Sequence, residues 1–161
     1  MTIHNIPPVF DKNSKVLILG SFPSVKSREA EFFYGHPQNR FWRVLASVIG
    51  VEAPQSVEEK RGFLLAHGIA VWDVIASCEI DGSADNTIRN VRPNDISVIL
   101  SSADIRAIFV NGRTSEKYYN KHIKESIGRE AILLPSTSPA NAASSLDALI
   151  IKWGVIKEYI L

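Results

Sequence analysis

The chain reads as an α/β domain built on a mainly parallel four-stranded sheet, and three observations lead there. Short apolar runs at 16–20 (VLILG), 69–75 (IAVWDVI), 105–110 (IRAIFV) and 131–135 (AILLP) alternate with segments of helical periodicity. The first run has no polar position, as a strand buried on both faces requires. Each run also leads into polar or turn-forming residues: Gly20-Ser21-Phe22-Pro23, Trp72-Asp73, Asn111-Gly112 and Ser136–Asn141. Open α/β sheets bind ligands outside the carboxyl ends of their strands, so these four segments are expected to share one rim.

Taken in order, residues 1–14, with Pro7-Pro8, read as an irregular lead-in to the first strand. Residues 24–38 follow it as an irregular loop, long enough to suspect function. A helix is expected from near Asn39, a good N-cap, because Phe41, Leu45 and Val48 recur at helical spacing before Gly50 stops it. Residues 56–67 form a second helix closed by Gly68, and the second strand follows. Residues 79–92 are polar with a turn at Asp81-Gly82, and Pro93 opens a short helix to about Ser101. The third strand precedes a basic helix running to Lys124, and the fourth precedes the Ser-Thr-Ser-Pro-Ala-Asn loop. An amphipathic helix covers about 144–160. No repeat, low-complexity tract or linker divides the chain, so 1–161 is read as one domain.

A hydrophobic content of 45% with 22% charged residues excludes disorder and allows a full core. No apolar stretch approaches the ~20 residues of a membrane span, and the first residues lack the pattern of a secretory signal. The expected location is the cytoplasm, with the nucleoid if the source is prokaryotic. Cys78 is the single cysteine, which rules out an internal disulfide and fits a small buried hydrophobe. A net charge of +1 advertises no global field for nucleic acid, although a local patch suffices to hold phosphates. The basic run Arg113, Lys117, Lys121, Lys124 and Arg129 is interrupted by Glu116, Glu125 and Glu130, as on a solvated helix face.

The chain has neither GxxxxGK[ST] nor GxGxxG, so no phosphate loop or dinucleotide site is expected. His4, His67 and His122 stand apart in sequence and read as surface or helix histidines; no metal-ligand spacing exists, and no metal or cofactor is expected. Phe41 and Trp42 read as core. Ser21 lacks the distant Asp/His pair that a hydrolase serine needs. The rim offers rings (Phe22, Tyr34), amides (Asn39, Asn111, Asn141), hydroxyls (Ser21, Ser136, Ser138) and one carboxylate, Asp73. That set suits sandwiching a flat heterocycle and reading its edge. The Ser-Pro-Ala turn supplies hydroxyls and N–H groups of the kind that hold a phosphate.

Gly20-Ser21-Phe22-Pro23 after the first strand, the stretch HisProGlnAsnArgPheTrp at 36–42, and the Ser-Pro turn after the last strand together resemble the uracil-DNA glycosylase superfamily over roughly 14–160. Phe22 stands where most relatives carry Asp or Asn, Ser136 where they carry His or Asn, and Ala140 where they commonly carry an inserting Leu. Those departures are similar to the hypoxanthine-DNA glycosylase branch.

The resemblance implies a three-layer α/β/α sandwich, DNA containing deaminated bases as partner, and no membrane. The chain is expected to act as a monomer. It implies Asn39 as the catalytic amide and Gly20, Ser21, Phe22, Tyr34, Asp73, Asn111 and Ser136 as base-binding. Ser24, Ser138, Pro139, Ala140 and Asn141 would meet the DNA. Three functions stay open on sequence: excision of hypoxanthine, excision of uracil or another altered base on the same scaffold, and non-catalytic binding of DNA or nucleotides. An Asn39 amide facing the same pocket as Tyr34 and Asp73 would favour the enzymes, and one buried in a helix cap the binder.

Overall fold

The apolar runs form strands where the pattern places them, but they divide between two sheets. In the computed structural model, which describes residues 1–161, the strands are β1 (Thr2–Ile3), β2 (Val16–Gly20), β3 (Ile69–Asp73), β4 (Ile75–Glu79), β5 (Arg89–Pro93), β6 (Ala107–Asn111) and β7 (Ile132–Leu134). The helices are α1 (Val25–Ala30), α2 (Phe41–Ile49), α3 (Val57–Ala66), α4 (Ser97–Leu100), α5 (Arg113–His122), α6 (Lys124–Ile127), α7 (Leu146–Trp153) and α8 (Lys157–Ile160). The main sheet is parallel with strand order β3-β2-β6-β7. All five residues of β2, at its centre, are buried.

Alternation along β2 shows why both faces must be covered. Val16 and Ile18 join Phe41, Leu45, Leu64 and Trp153 in one core beneath α2, α3 and α7. Leu17 and Leu19 join Ile99, Tyr118, Tyr119 and Ile123 in a second core, toward α4 and α5. The expected three-layer α/β/α arrangement is thus present, with helices on either side of the sheet.

Five expectations need correction. The run 69–75 is not one strand: Val74 N–H bonds to Gly20 C=O (2.8 Å) and the chain then leaves for an antiparallel sheet of order β1-β4-β5. That sheet takes up the two ends of the polar segment 79–92, Glu79 and Arg89–Arg92, and Ile75 and Cys78 of β4, with Ile88 just before β5, join the second core. Pro93 therefore ends an edge strand, where its missing N–H costs nothing, and the helix starts only at Ser97. The loop 24–38 contains α1, whose N-cap Ser24 accepts from Ser27 N–H. The last helix is broken at Gly154 by a 3-10 turn over Gly154–Ile156. The Asn39 start is displaced: α2 begins at Phe41, whose N–H bonds to Asn39 Oδ1 at 2.9 Å. None of these helices is long and apolar enough to cross a membrane.

Trp153 joins the C-terminal helix to the site. Its ring is fully buried edge-on to Phe41 (centroids 5.8 Å apart), and its Nε1–H donates to Pro135 C=O at 2.9 Å, just before the Ser-Pro loop. Truncation there leaves a large cavity and an unpartnered carbonyl. Trp153→Ala is expected to lower unfolding stability by about 3–5 kcal/mol in urea titration. A loss under about 1 kcal/mol would show that the two layers are not joined through this ring.

Candidate active site

The four strand ends do converge. Gly20, Ser21, Phe22, Ser24, Tyr34, Asn39, Asp73, Asn111, Ser136 and Ser138 line one cavity of about 130 Å³ at the carboxyl edge of the main sheet. Its floor follows from strand register. Gly20 of β2 is paired with Asp73 of β3, so the Asp73 side chain lies beside the end of β2. A Cβ at position 20 would collide with Asp73 Oδ1 and stand 3.0 Å from the Tyr34 hydroxyl. Position 20 is therefore a glycine for space: the carboxylate and phenol occupy the volume a side chain would fill.

Tyr34 reaches that point from a strained backbone, with φ of 52°, held by a bond from Trp42 Nε1 to its C=O (3.2 Å). One face of its ring is stacked on Phe41, centroids 3.9 Å apart. Its hydroxyl is buried without a hydrogen-bond partner, and burial raises its pKa further above the usual phenol range. Asp73 is 4% exposed, its Oδ2 also lacks a partner, and burial pushes its carboxyl up to about 7. Asn94 Nδ2 donates to the Asp73 backbone C=O (2.9 Å), which pins the residue.

His4 corrects the surface-histidine expectation: it is buried, its Nε2 lies 3.7 Å from Asp73 Oδ2, and its ring meets Phe22 edge-on at 5.3 Å. Sequence spacing gave no warning, because 68 intervening residues separate it from Asp73 and only the small sheet brings it back. Phe22 is a buried wall, with the Arg28 guanidinium 5.4 Å from its ring centre.

A second omission is the loop between β4 and β5. Arg28 donates to Gly82 C=O (2.7 Å) and Val25 N–H to Ser83 Oγ (2.9 Å), which brings Ser83 and Asp85 to the cavity. Asp73 is thus not the only carboxylate on the rim; Asp85, exposed at the mouth, is another. Ser27, Phe33 and Thr137 complete the lining that the motifs did not flag.

The Ser-Pro loop is fixed from two directions. Asn111 Nδ2 donates to Thr137 Oγ1 and its Oδ1 accepts from Thr137 N–H, both at 3.1 Å, so this amide braces the loop while lining the cavity. Arg40 inserts its guanidinium among loop carbonyls, donating to Ser144 C=O and, at 3.0 Å each, to those of Ser138 and Asn141. Its own N–H binds Thr137 C=O (3.1 Å). Ser136 Oγ accepts from Ser138 N–H and Ser138 Oγ from Ala140 N–H, both at 3.1 Å.

Ala140 and Asn141 stand outside the cavity and line an adjoining groove of about 700 Å³ with Arg113 and Lys152. Pro139 lines neither space and is exposed at the loop's tip. Asn39 satisfies both sides of the discriminator set by sequence: it lines the cavity with Tyr34 and Asp73, and its Oδ1 also holds the start of α2.

The site holds no serine or cysteine paired with a general base, and no lysine lines the cavity. What it offers is a buried acceptor, an oriented amide, an aromatic wall and a rigid loop. The model of the uracil DNA glycosylase superfamily matches residues 7–152. The chain belongs to that superfamily, whose members hydrolyse N-glycosyl bonds. It is 35% identical, over 89% of its length and 91% of the relative's, to a hypoxanthine DNA glycosylase of Methanosarcina barkeri. It is 36% identical to one of Methanosarcina acetivorans, over 88% of its own length and 89% of the relative's. A solution NMR structure of a Methanosarcina acetivorans protein assigned to the uracil DNA glycosylases superposes with a TM-score of 0.79 at 31% identity, covering 97% of this chain and 99% of that one.

The Arg40 brace makes a direct prediction. In Arg40→Met the three loop carbonyls lose their donor, and amide exchange at Ala140, Asn141 and Ser144 is expected to quicken by about tenfold or more relative to β2. Unchanged exchange in a folded variant would mean that Asn111 alone holds the loop.

Proposed function

We propose that the chain is a monofunctional DNA glycosylase that removes hypoxanthine from DNA. The observation that carries the reading is the buried Asp73 carboxylate beside Gly20, an acceptor with no cation to satisfy it at the bottom of a base-sized cavity. The near full-length likeness to the two Methanosarcina hypoxanthine DNA glycosylases supports it. An ionised Asp only accepts hydrogen bonds, so it complements N1–H of hypoxanthine and opposes the lone pair on N1 of adenine. That mismatch costs on the order of 1–3 kcal/mol, enough to discriminate.

Cleavage of the glycosidic bond builds positive charge on the sugar and negative charge on the departing base. Hypoxanthine spreads that charge over its lactam, so a weak catalytic set suffices. Asn39 supplies it in this reading. Its amide is oriented by Phe41 N–H, which leaves Nδ2–H and the second lone pair of Oδ1 for the attacking water or the base. An amide takes up no proton, so its contribution is positioning and electrostatics. Phe22, in the usual water-activating position, walls the cavity. The free face of Tyr34 is available to stack on the extruded base, and Ser24, Ser138, Pro139, Ala140 and Asn141 meet the flanking DNA. The protein works as a monomer in the cytoplasm, without metal or cofactor. Uracil is the second substrate to consider, because its N3–H satisfies the same acceptor. Oligonucleotides carrying one inosine, uracil, xanthine or ethenoadenine, incubated and then cleaved with alkali at abasic sites, rank the candidates. Absence of inosine excision would refute the reading.

Asn39→Ala is expected to lose ~10²-fold or more in single-turnover excision while still binding DNA. A wild-type rate in the folded variant would remove Asn39 from the mechanism.

If Asp73 reads N1–H, inosine should be excised at least ~10-fold faster than 1-methylinosine by the wild type, and Asp73→Asn should narrow that gap. Equal rates on both substrates, unaffected by the substitution, would leave Asp73 a structural residue.

A further inference from the structure

Three of the four buried side-chain atoms without a hydrogen-bond partner in this molecule are His4 Nε2, Asp73 Oδ2 and the Tyr34 hydroxyl. They belong to side chains that meet beneath the cavity. Tyr34 and Asp73 both bear on Gly20, and His4 faces Asp73 from behind. Orphaned polar groups are costly singly, and such a cluster points to a function that completes it.

The tautomer of His4 follows from its neighbours. Nδ1 accepts the Ile6 N–H at 3.3 Å, so the ring proton sits on Nε2, toward Asp73. Burial draws the His4 pKa down to about 4 against the opposing pull of the Ile75 backbone, so the ring is neutral near pH 7 and the contact is no ion pair. At 3.7 Å the N–H is just beyond hydrogen-bond range and too close for an intervening water, so a small approach of Asp73 closes the bond. The backbone that carries His4 is fixed. β1 pairs Thr2 with Cys78 and Ile3 with Ser77, and His4 N–H donates to Ala76 C=O (3.2 Å). Phe22 seals the imidazole from the cavity.

We propose that His4 is a positioning residue for base recognition: its neutral Nε2–H holds Oδ2 of an ionised Asp73, leaving Oδ1 to accept the lactam N–H of the extruded base. The inference rests on the hypoxanthine reading and adds the device that keeps the acceptor charged in a dry site. The charged and titratable groups facing the pair are Tyr34, Arg28 above Phe22, and Asp85 at the cavity mouth. None donates to Asp73 Oδ2. Asp73 titrates near neutrality, and a donor to its charged form lowers its pKa. Loss of that donor shifts Asp73 toward the protonated acid, whose uncharged oxygen is a weaker acceptor for N1–H. The acid limb of the pH–rate profile must then move to higher pH.

The test is the pH profile of single-turnover inosine excision for wild type, His4→Leu and His4→Gln, the last keeping a side-chain N–H. The acid limb should rise by about one pH unit in His4→Leu. Glutamine should recover most of that shift. The deficit of His4→Leu should be several-fold larger at about pH 6.5 than at about pH 8.5. An equal deficit at every pH, or the same limb in all three proteins, would reduce His4 to packing. A wild type without inosine excision would instead overturn the substrate reading. Imidazole ¹⁵N shifts of the unmodified protein give a variant-free check. The Nε2–H tautomer through neutral pH is expected, and the Nδ1–H tautomer or an imidazolium would overturn the proposal.

Discussion

The pairing of Gly20 with Asp73 across β2 and β3 is the constraint on which the site depends. Parallel register sets these residues side by side, and the missing side chain at 20 is the space into which the carboxylate and the Tyr34 hydroxyl project. Burial of a carboxylate without a cation is expensive, which is why its pKa rises toward 7. The rest of the fold accommodates that cost. Asn94 pins the Asp73 backbone, the small sheet delivers His4 behind it, and Phe22 excludes water from the imidazole.

A second frame surrounds the first. Arg40 follows Asn39 directly in the chain and binds four carbonyls of the Ser-Pro loop through its backbone and side chain. The amide proposed to orient the attacking water or the base and the loop proposed to meet the DNA are therefore mechanically one unit. Asn111 ties the same loop to β6, and Trp153 ties its root to the helical layer. Rigid positioning of this kind is what an enzyme without a strong base must rely on.

Much of this was legible in the residues. VLILG announced a strand buried on both faces, and polar residues at four strand ends announced a shared rim, because those signals are local. The omissions were non-local. β1 is two residues long and carries no periodicity, so His4 looked isolated until its pairing with β4 placed it beneath Asp73. IAVWDVI reads as one apolar run, and nothing in its pattern marks Val74 as the point where the chain changes sheets. Asp85 lies on a turn whose position over the cavity is set by Arg28 and Val25, more than fifty residues earlier in the chain. Asn111 was legible as a rim residue, but its engagement with Thr137 needed the folded loop.

The central claim is that a buried, ionised Asp73 accepts the lactam N–H of an extruded hypoxanthine. A crystal structure with DNA bearing a non-cleavable deoxyinosine analogue tests it most directly. The account predicts the base in the cavity above Gly20, with Asp73 Oδ1 within about 3 Å of N1 and Oδ2 drawn into hydrogen-bond range of His4 Nε2. A base seated in that cavity with its N1–H directed elsewhere, and Asp73 still without a partner, would contradict it.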